Sequence, residues 1–157
     1  MTKKILVAYY TKGGATAEYA KVIAESLKTK DHTVEMVDLK ETIPSVDSFD
    51  VVVLGAGVRM FRVYGRWKKI LKQKTLRNKL LFLFLSSGMA IEESSEKAVE
   101  KFLRPIVDKY DLKPKLMVSF PGKIPERWAK MDGSKETVDP ELAKEWAQAI
   151  VDNLNSS

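Results

Sequence analysis

The chain has 157 residues, 45% hydrophobic and 31% charged, which fits one globular domain, residues 1–157, able to bury its own core. It has no cysteine and one histidine, His32, so disulfides, thiolate metal sites, a cysteine nucleophile and a histidine metal cluster are excluded. The net charge of +6 favours anionic partners or surfaces, but no nucleic-acid-binding motif accompanies it. Met1-Thr-Lys-Lys runs straight into an apolar pattern without a signal-peptide core, and the longest apolar run, Leu80–Leu85, is too short to span a bilayer. A cytoplasmic protein with at most peripheral membrane contact is therefore expected.

Lys4–Tyr9 reads as a buried strand, since Ile5-Leu-Val-Ala8 is continuously apolar and ends in the turn Thr11-Lys-Gly-Gly14. From Ala15 to Lys28 the period becomes helical, with Ala20, Ile23, Ala24 and Leu27 on one face. His32 is expected in an exposed turn. Thr33–Leu39, with Val34, Met36 and Val37, is a second strand, and Val51–Leu54 a third. Tyr64–Gln73 reads as a basic amphipathic helix with Trp67, Ile70 and Leu71 inward. Leu80–Leu85 is a fourth strand. Glu92–Tyr110 is a long helix that Pro105 bends or splits. Leu116–Phe120 is a fifth strand, and Asp139-Pro-Glu141 opens a last helix with Leu142, Trp146, Ala149 and Ile150 on one face. Strands that alternate with helices and are apolar throughout predict an α/β three-layer sandwich around a five-stranded parallel sheet.

In such sheets ligands bind beyond the carboxyl ends of the strands, where this chain places three segments. The first, Thr11, Lys12, Gly13, Gly14, Ala15 and Thr16, combines glycines, two hydroxyls and a helix N-terminus, the parts of a phosphate cradle. It is not a Walker A loop. A plain strand-to-helix turn with a threonine cap is the alternative. The second, Gly55–Tyr64, contains Gly55 and Gly57, which permit close approach and positive φ, beside apolar and aromatic side chains able to cover a flat ring. The third is Ser86-Ser-Gly-Met89.

The pattern Tyr9-x-Thr11-x-x-Gly14-x-Thr16-x-x-x-Ala20-x-x-Ile23 resembles the flavodoxin signature. That resemblance implies the strand order 2-1-3-4-5, FMN as cofactor with its phosphate held by Thr11–Thr16, and electron transfer as the function. It also implies that Ala56, Gly57, Val58, Arg59, Met60 and Phe61 flank one side of the isoalloxazine and Ser86, Ser87, Gly88 and Met89 the other. Gly57 is the candidate for a backbone that switches on reduction, and Met89 stands where flavodoxins usually stack a tyrosine. The run Val51-Val-Val-Leu-Gly-Ala-Gly-Val-Arg-Met with Tyr64, and Glu145-Trp146 in the last helix, is similar to the flavodoxin-type, quinone-linked protoporphyrinogen oxidases. The connection Pro121–Val138 is shorter than that branch's insertion.

The expected activity is thus FMN-dependent electron transfer by an oxidoreductase, with a redox partner protein or quinone and an anionic small-molecule substrate as partners. No residue stands out as a general acid, and no metal is expected. A pure electron carrier, or a binding module of the same fold without flavin, are the alternatives. Arg59 and Arg62 beside the ring site, and Lys123, Arg127 and Lys130 in the last connection, suit carboxylates or phosphates.

Overall fold

The computed structural model describes residues 3–11, 14–28, 32–59, 62–63, 65–87, 94–122 and 138–156, with only the backbone described at 59, 62–63 and 65–66. In chain order these form β1 (Lys4–Tyr10), α1 (Ala15–Lys28), β2 (Thr33–Asp38), β3 (Val51–Arg59), β4 (Arg62–Val63) and α2 (Gly65–Leu71). A 3-10 turn (Lys74–Asn78) leads to β5 (Leu80–Ser87). Then come α3 (Ser95–Ala98), a π-helical segment (Val99–Leu103), α4 (Arg104–Lys109), β6 (Leu116–Pro121) and α5 (Pro140–Asn155). The sheet order is β2-β1-β3-β5-β6, all parallel, with β4 folded back antiparallel on the end of β3. Counted over the five long strands, this is the expected order 2-1-3-4-5.

The alternation of side chains along each strand divides the core in two. Ile5, Val7, Val51, Val53, Phe82 and Phe84 pack under α1 and α5. Leu6, Ala8, Val52, Leu54, Leu81 and Leu83 pack under α2 and the helical stretch through α4, together with Trp67, Ile70 and Leu71. The β3–β5 pairing is central, and its register sets Gly55 beside Phe84 and Gly57 beside Ser86.

Several boundaries differ from the sequence reading. Strand β3 continues five residues past Leu54, because its pairing to β1 persists through Ala56 and to β5 through Gly57 despite the weak strand preference of those residues. Strand β5 likewise includes Ser86 and Ser87, which were expected in a loop. The long helix holds a π segment immediately before α4, so that Pro105 enters the first turn of α4, where its missing N–H costs nothing. Met36 is 44% exposed rather than part of the core, since it lies on the edge strand. In α5 the buried stripe is Ala143, Trp146, Ala147, Ile150, Val151 and Leu154, which leaves Leu142 exposed. His32 is half-buried, and its Nδ1 accepts a hydrogen bond from the Lys3 amide at 3.1 Å.

Candidate functional site

The carboxyl ends of β1 and β3 stand at the switch point of the strand order, because the chain crosses from β1 to β2 on one side and from β3 to β5 on the other. The Thr11–Thr16 segment lies there. Gly14 has φ 89°, the one positive-φ glycine among the described residues, and a side chain there would be strained. Its amide donates to Thr11 Oγ1 at 3.0 Å, which fixes the turn. The helical ladder begins with Glu18 N–H donating to the Gly14 carbonyl at 3.2 Å. The amides of Ala15, Thr16 and Ala17 precede that bond and have no acceptor within the described residues of the helix, at the positive end of the α1 dipole.

Two sets of buried hydroxyls stand at the same edge of the sheet. Thr16 Oγ1 and Ser86 Oγ lie 2.7 Å apart, both residues buried. On the opposite face Ser87 Oγ meets Ser119 Oγ at 2.8 Å, and the Ser119 amide donates to Ser95 Oγ at 2.9 Å. Residue 119 therefore ties the end of β5 to the start of α3. A comparable tie is made by Tyr19, one helical turn past Thr16. Its hydroxyl donates to the Pro121 carbonyl and accepts from the Asp139 amide at 3.1 Å, while its ring stacks on Phe120 at 4.6 Å. Burial chiefly, opposed by the Asp139 amide and reinforced by the Asp139 and Glu18 charges, pushes the Tyr19 phenol up to about 12. Tyr9, at the end of β1, is also pushed up, by burial first and then by the carboxylates of Asp38 and Glu41. Both phenols are neutral donors at physiological pH.

The residues expected beside a ring fall less simply. Ala56 is fully buried on the α2 side of the sheet, so it can offer a ligand its backbone alone. Gly57 lies inside β3 rather than in a loop, and neither it nor Gly55 takes positive φ. Gly55 serves packing: a Cβ there would sit 2.0 Å from Cζ of Phe84, whose ring lies across it. Val58 packs on the α2-side core, and Arg59 closes β3 where it pairs with Arg62 of β4. Ser86 and Ser87 are strand residues whose hydroxyls point to opposite faces. Lys12, Gly13, Met60, Phe61, Tyr64, Gly88, Met89, Lys123, Arg127 and Lys130 lie outside the described residues.

Sequence reasoning did not reach Tyr19, Ser95 or Ser119. Tyr19 carried one usable signal: a tyrosine at i−4 from Ile23, on the buried stripe, needs a partner for its hydroxyl. No group of three or more metal-ligating side chains exists among the described residues, and no helix there is long and apolar enough to cross a membrane.

A doubly wound parallel sheet with a glycine-turned helix N-terminus at its switch point is the α/β architecture in which anionic ligands bind at that place. The flavodoxin domain family matches residues 6–128, and the chain belongs to that family. Among solved structures, oxidised flavodoxin 1 from Bacillus cereus is similar at 15% identity and a TM-score of 0.65, covering 95% of this chain and 97% of that one. The Fusobacterium nucleatum flavodoxin bound to flavin mononucleotide is similar at 16% identity and a TM-score of 0.61, covering 96% and 98%. Rubredoxin oxygen:oxidoreductase from Desulfovibrio gigas aligns at 18% identity and a TM-score of 0.63 over 98% of this chain, which spans only 36% of that protein. No curated protein sequence matches.

Proposed function

We propose that this protein binds FMN and transfers electrons between redox partners. The observation that carries the reading is the α1 N-terminus, where Gly14 at φ 89° turns the chain into the helix and the first-turn amides of Ala15, Thr16 and Ala17 precede the first helical hydrogen bond, beside the buried hydroxyl of Thr16. That donor set suits a phosphate monoester dianion, and membership of the flavodoxin domain family supports FMN as its bearer. Thr11, Lys12, Gly13, Gly14, Ala15 and Thr16 would hold the phosphate. The backbone of Ala56, Gly57 and Val58, with Arg59, Met60 and Phe61, would flank one side of the ring, and Ser86, Ser87, Gly88 and Met89 the other. Bound FMN would supply one- and two-electron redox chemistry, and the chain supplies binding, orientation and charge. Arg59, at the end of β3, would favour added negative charge on a reduced ring and so raise its potential.

A finer reading makes the protein a quinone-linked oxidoreductase similar to the flavodoxin-type protoporphyrinogen oxidases, acting on an anionic substrate. Its support is the net charge of +6 and the presence of Glu145-Trp146 in α5. Porphyrinogen oxidation by the FMN-loaded protein with a quinone acceptor tests it. Electron transfer to a protein acceptor with no porphyrinogen turnover would leave a simple carrier, and no retained flavin would remove both readings.

A further inference from the structure

We propose that Ser86 is a positioning residue for the phosphate site: its hydroxyl donates to Thr16 Oγ1 and so aims the Thr16 hydroxyl at the ligand phosphate. The inference rests on the FMN reading and moves Ser86 from the ring side, where the sequence placed it, to the phosphate side.

Thr16 and Ser86 sit 70 positions apart in the chain, yet their hydroxyl oxygens are 2.7 Å apart, at 0% and 5% exposure. Each hydroxyl carries one donor proton, and the pair uses one of the two. Among the described residues no acceptor takes the second, which is free to meet an acceptor outside them. A buried donor is costly unless an acceptor reaches it. Thr16 lies in the first turn of α1 beside the amides of Ala15 and Ala17, whereas Ser86 lies in β5 between Gly57 and Phe120. An acceptor that met the amides would be within the first turn of Thr16 and one strand removed from Ser86. The orientation that serves an anion is the one in which Ser86 donates to Thr16 and Thr16 donates outward.

The strand pattern explains how Ser86 comes to be there. On the α1 and α5 face of β5, the alternating positions are Phe82, Phe84 and then Ser86. The two rings fill the core, and the third position, at the end of the strand, carries a hydroxyl in place of another ring.

The test compares FMN with riboflavin, which lacks the phosphate, in equilibrium titrations of the wild type, Ser86→Ala, Thr16→Val and the double variant. Ser86→Ala is expected to weaken FMN about 3- to 10-fold and to leave riboflavin unchanged, the size of one lost ordinary hydrogen bond. Thr16→Val is expected to lose at least as much. In the Thr16→Val background Ser86→Ala is expected to add nothing, because Ser86 acts through Thr16. Equal losses for both flavins, an unchanged FMN affinity, or additive losses in the double variant would each overturn the proposal. If the wild type retains neither flavin, the FMN reading fails, and thermal stabilisation by millimolar inorganic phosphate decides Ser86 separately. Stabilisation that Ser86→Ala abolishes supports the positioning role, whereas stabilisation unaffected by the substitution, or none in the wild type, refutes it.

Discussion

Substitution of Gly55 by alanine tests how the centre of the sheet is packed. A Cβ at that position would stand 2.0 Å from Cζ of Phe84 and 2.4 Å from each Cε, whereas ordinary contact begins at 3.4 Å. The difference of the first and last figures, 1.4 Å, is the distance the ring tip must retreat. Rotation about χ2 gives no relief, because Cζ lies on that rotation axis. Retreat by χ1 drives the ring into Phe120 and Trp146, whose centroids are each within 6 Å of its own. Overpacking of this kind costs about 1–3 kcal/mol. Replacing a strand glycine restores about 0.5–1 kcal/mol of backbone entropy. The midpoints of the two ranges leave a net loss of about 1 kcal/mol, or a fall in Tm of about 2–4 °C for a chain of this size. Urea unfolding, read as a shift in midpoint at constant m-value, measures it. In a Phe84→Leu background, where the ring tip is absent, Gly55→Ala should lose most of its cost, a coupling of about 1 kcal/mol or more. An unchanged midpoint for Gly55→Ala, or the same loss in both backgrounds, would refute the assignment of Gly55 to ring packing.

Tyr19→Phe removes one donor to the Pro121 carbonyl and one acceptor from the Asp139 amide, so it should cost about 1–3 kcal/mol and speed amide exchange at Asp139; exchange as slow as in the wild type would contradict the tie. Because the folded pKa of Tyr19 is about 12 against 10.0 for an ordinary phenol, its contribution is full below pH 10 and is lost as pH rises through the folded value. Alkaline unfolding titrations should therefore show a steeper decline above pH 10 in the wild type than in Tyr19→Phe. Asp139→Ala removes the carboxylate that accepts from the Glu141 amide at 3.1 Å and should cost about 0.5–2 kcal/mol, with Asp139→Asn close to the wild type, both read from thermal unfolding. Arg59→Ala should lower the midpoint potential of bound flavin in a redox titration, and an unchanged potential would remove Arg59 from the electrostatics of the site.

The parts of the fold legible in the sequence are those written in short-range pattern. The apolar runs of β1 and β5, the turn Thr11–Gly14 and the Asp139-Pro140 helix start each carry their signal within a few residues, and each lies where it was expected. The end of β3 was not legible, because Gly55, Ala56 and Gly57 have the composition of a loop and are held in the sheet by two neighbouring strands. For the same reason Gly55 read as a residue that admits a ligand, although what it admits is the ring of Phe84. The hydroxyl partnerships were invisible for a related cause. Thr16 with Ser86, Ser87 with Ser119, and Tyr19 with Pro121 and Asp139 join positions 32 to 120 residues apart. No local period records such pairs, and a serine in an apolar strand reads only as a place where the strand ends.

The central claim is that this fold carries FMN at the α1 N-terminus. The most direct test is the visible absorption spectrum of the purified protein after incubation with FMN and removal of the excess. Retained bands near about 375 and 450 nm, at close to one flavin per chain and weakened in Thr16→Val, are the result the account predicts. A colourless protein that fails to retain FMN at micromolar concentration would contradict it.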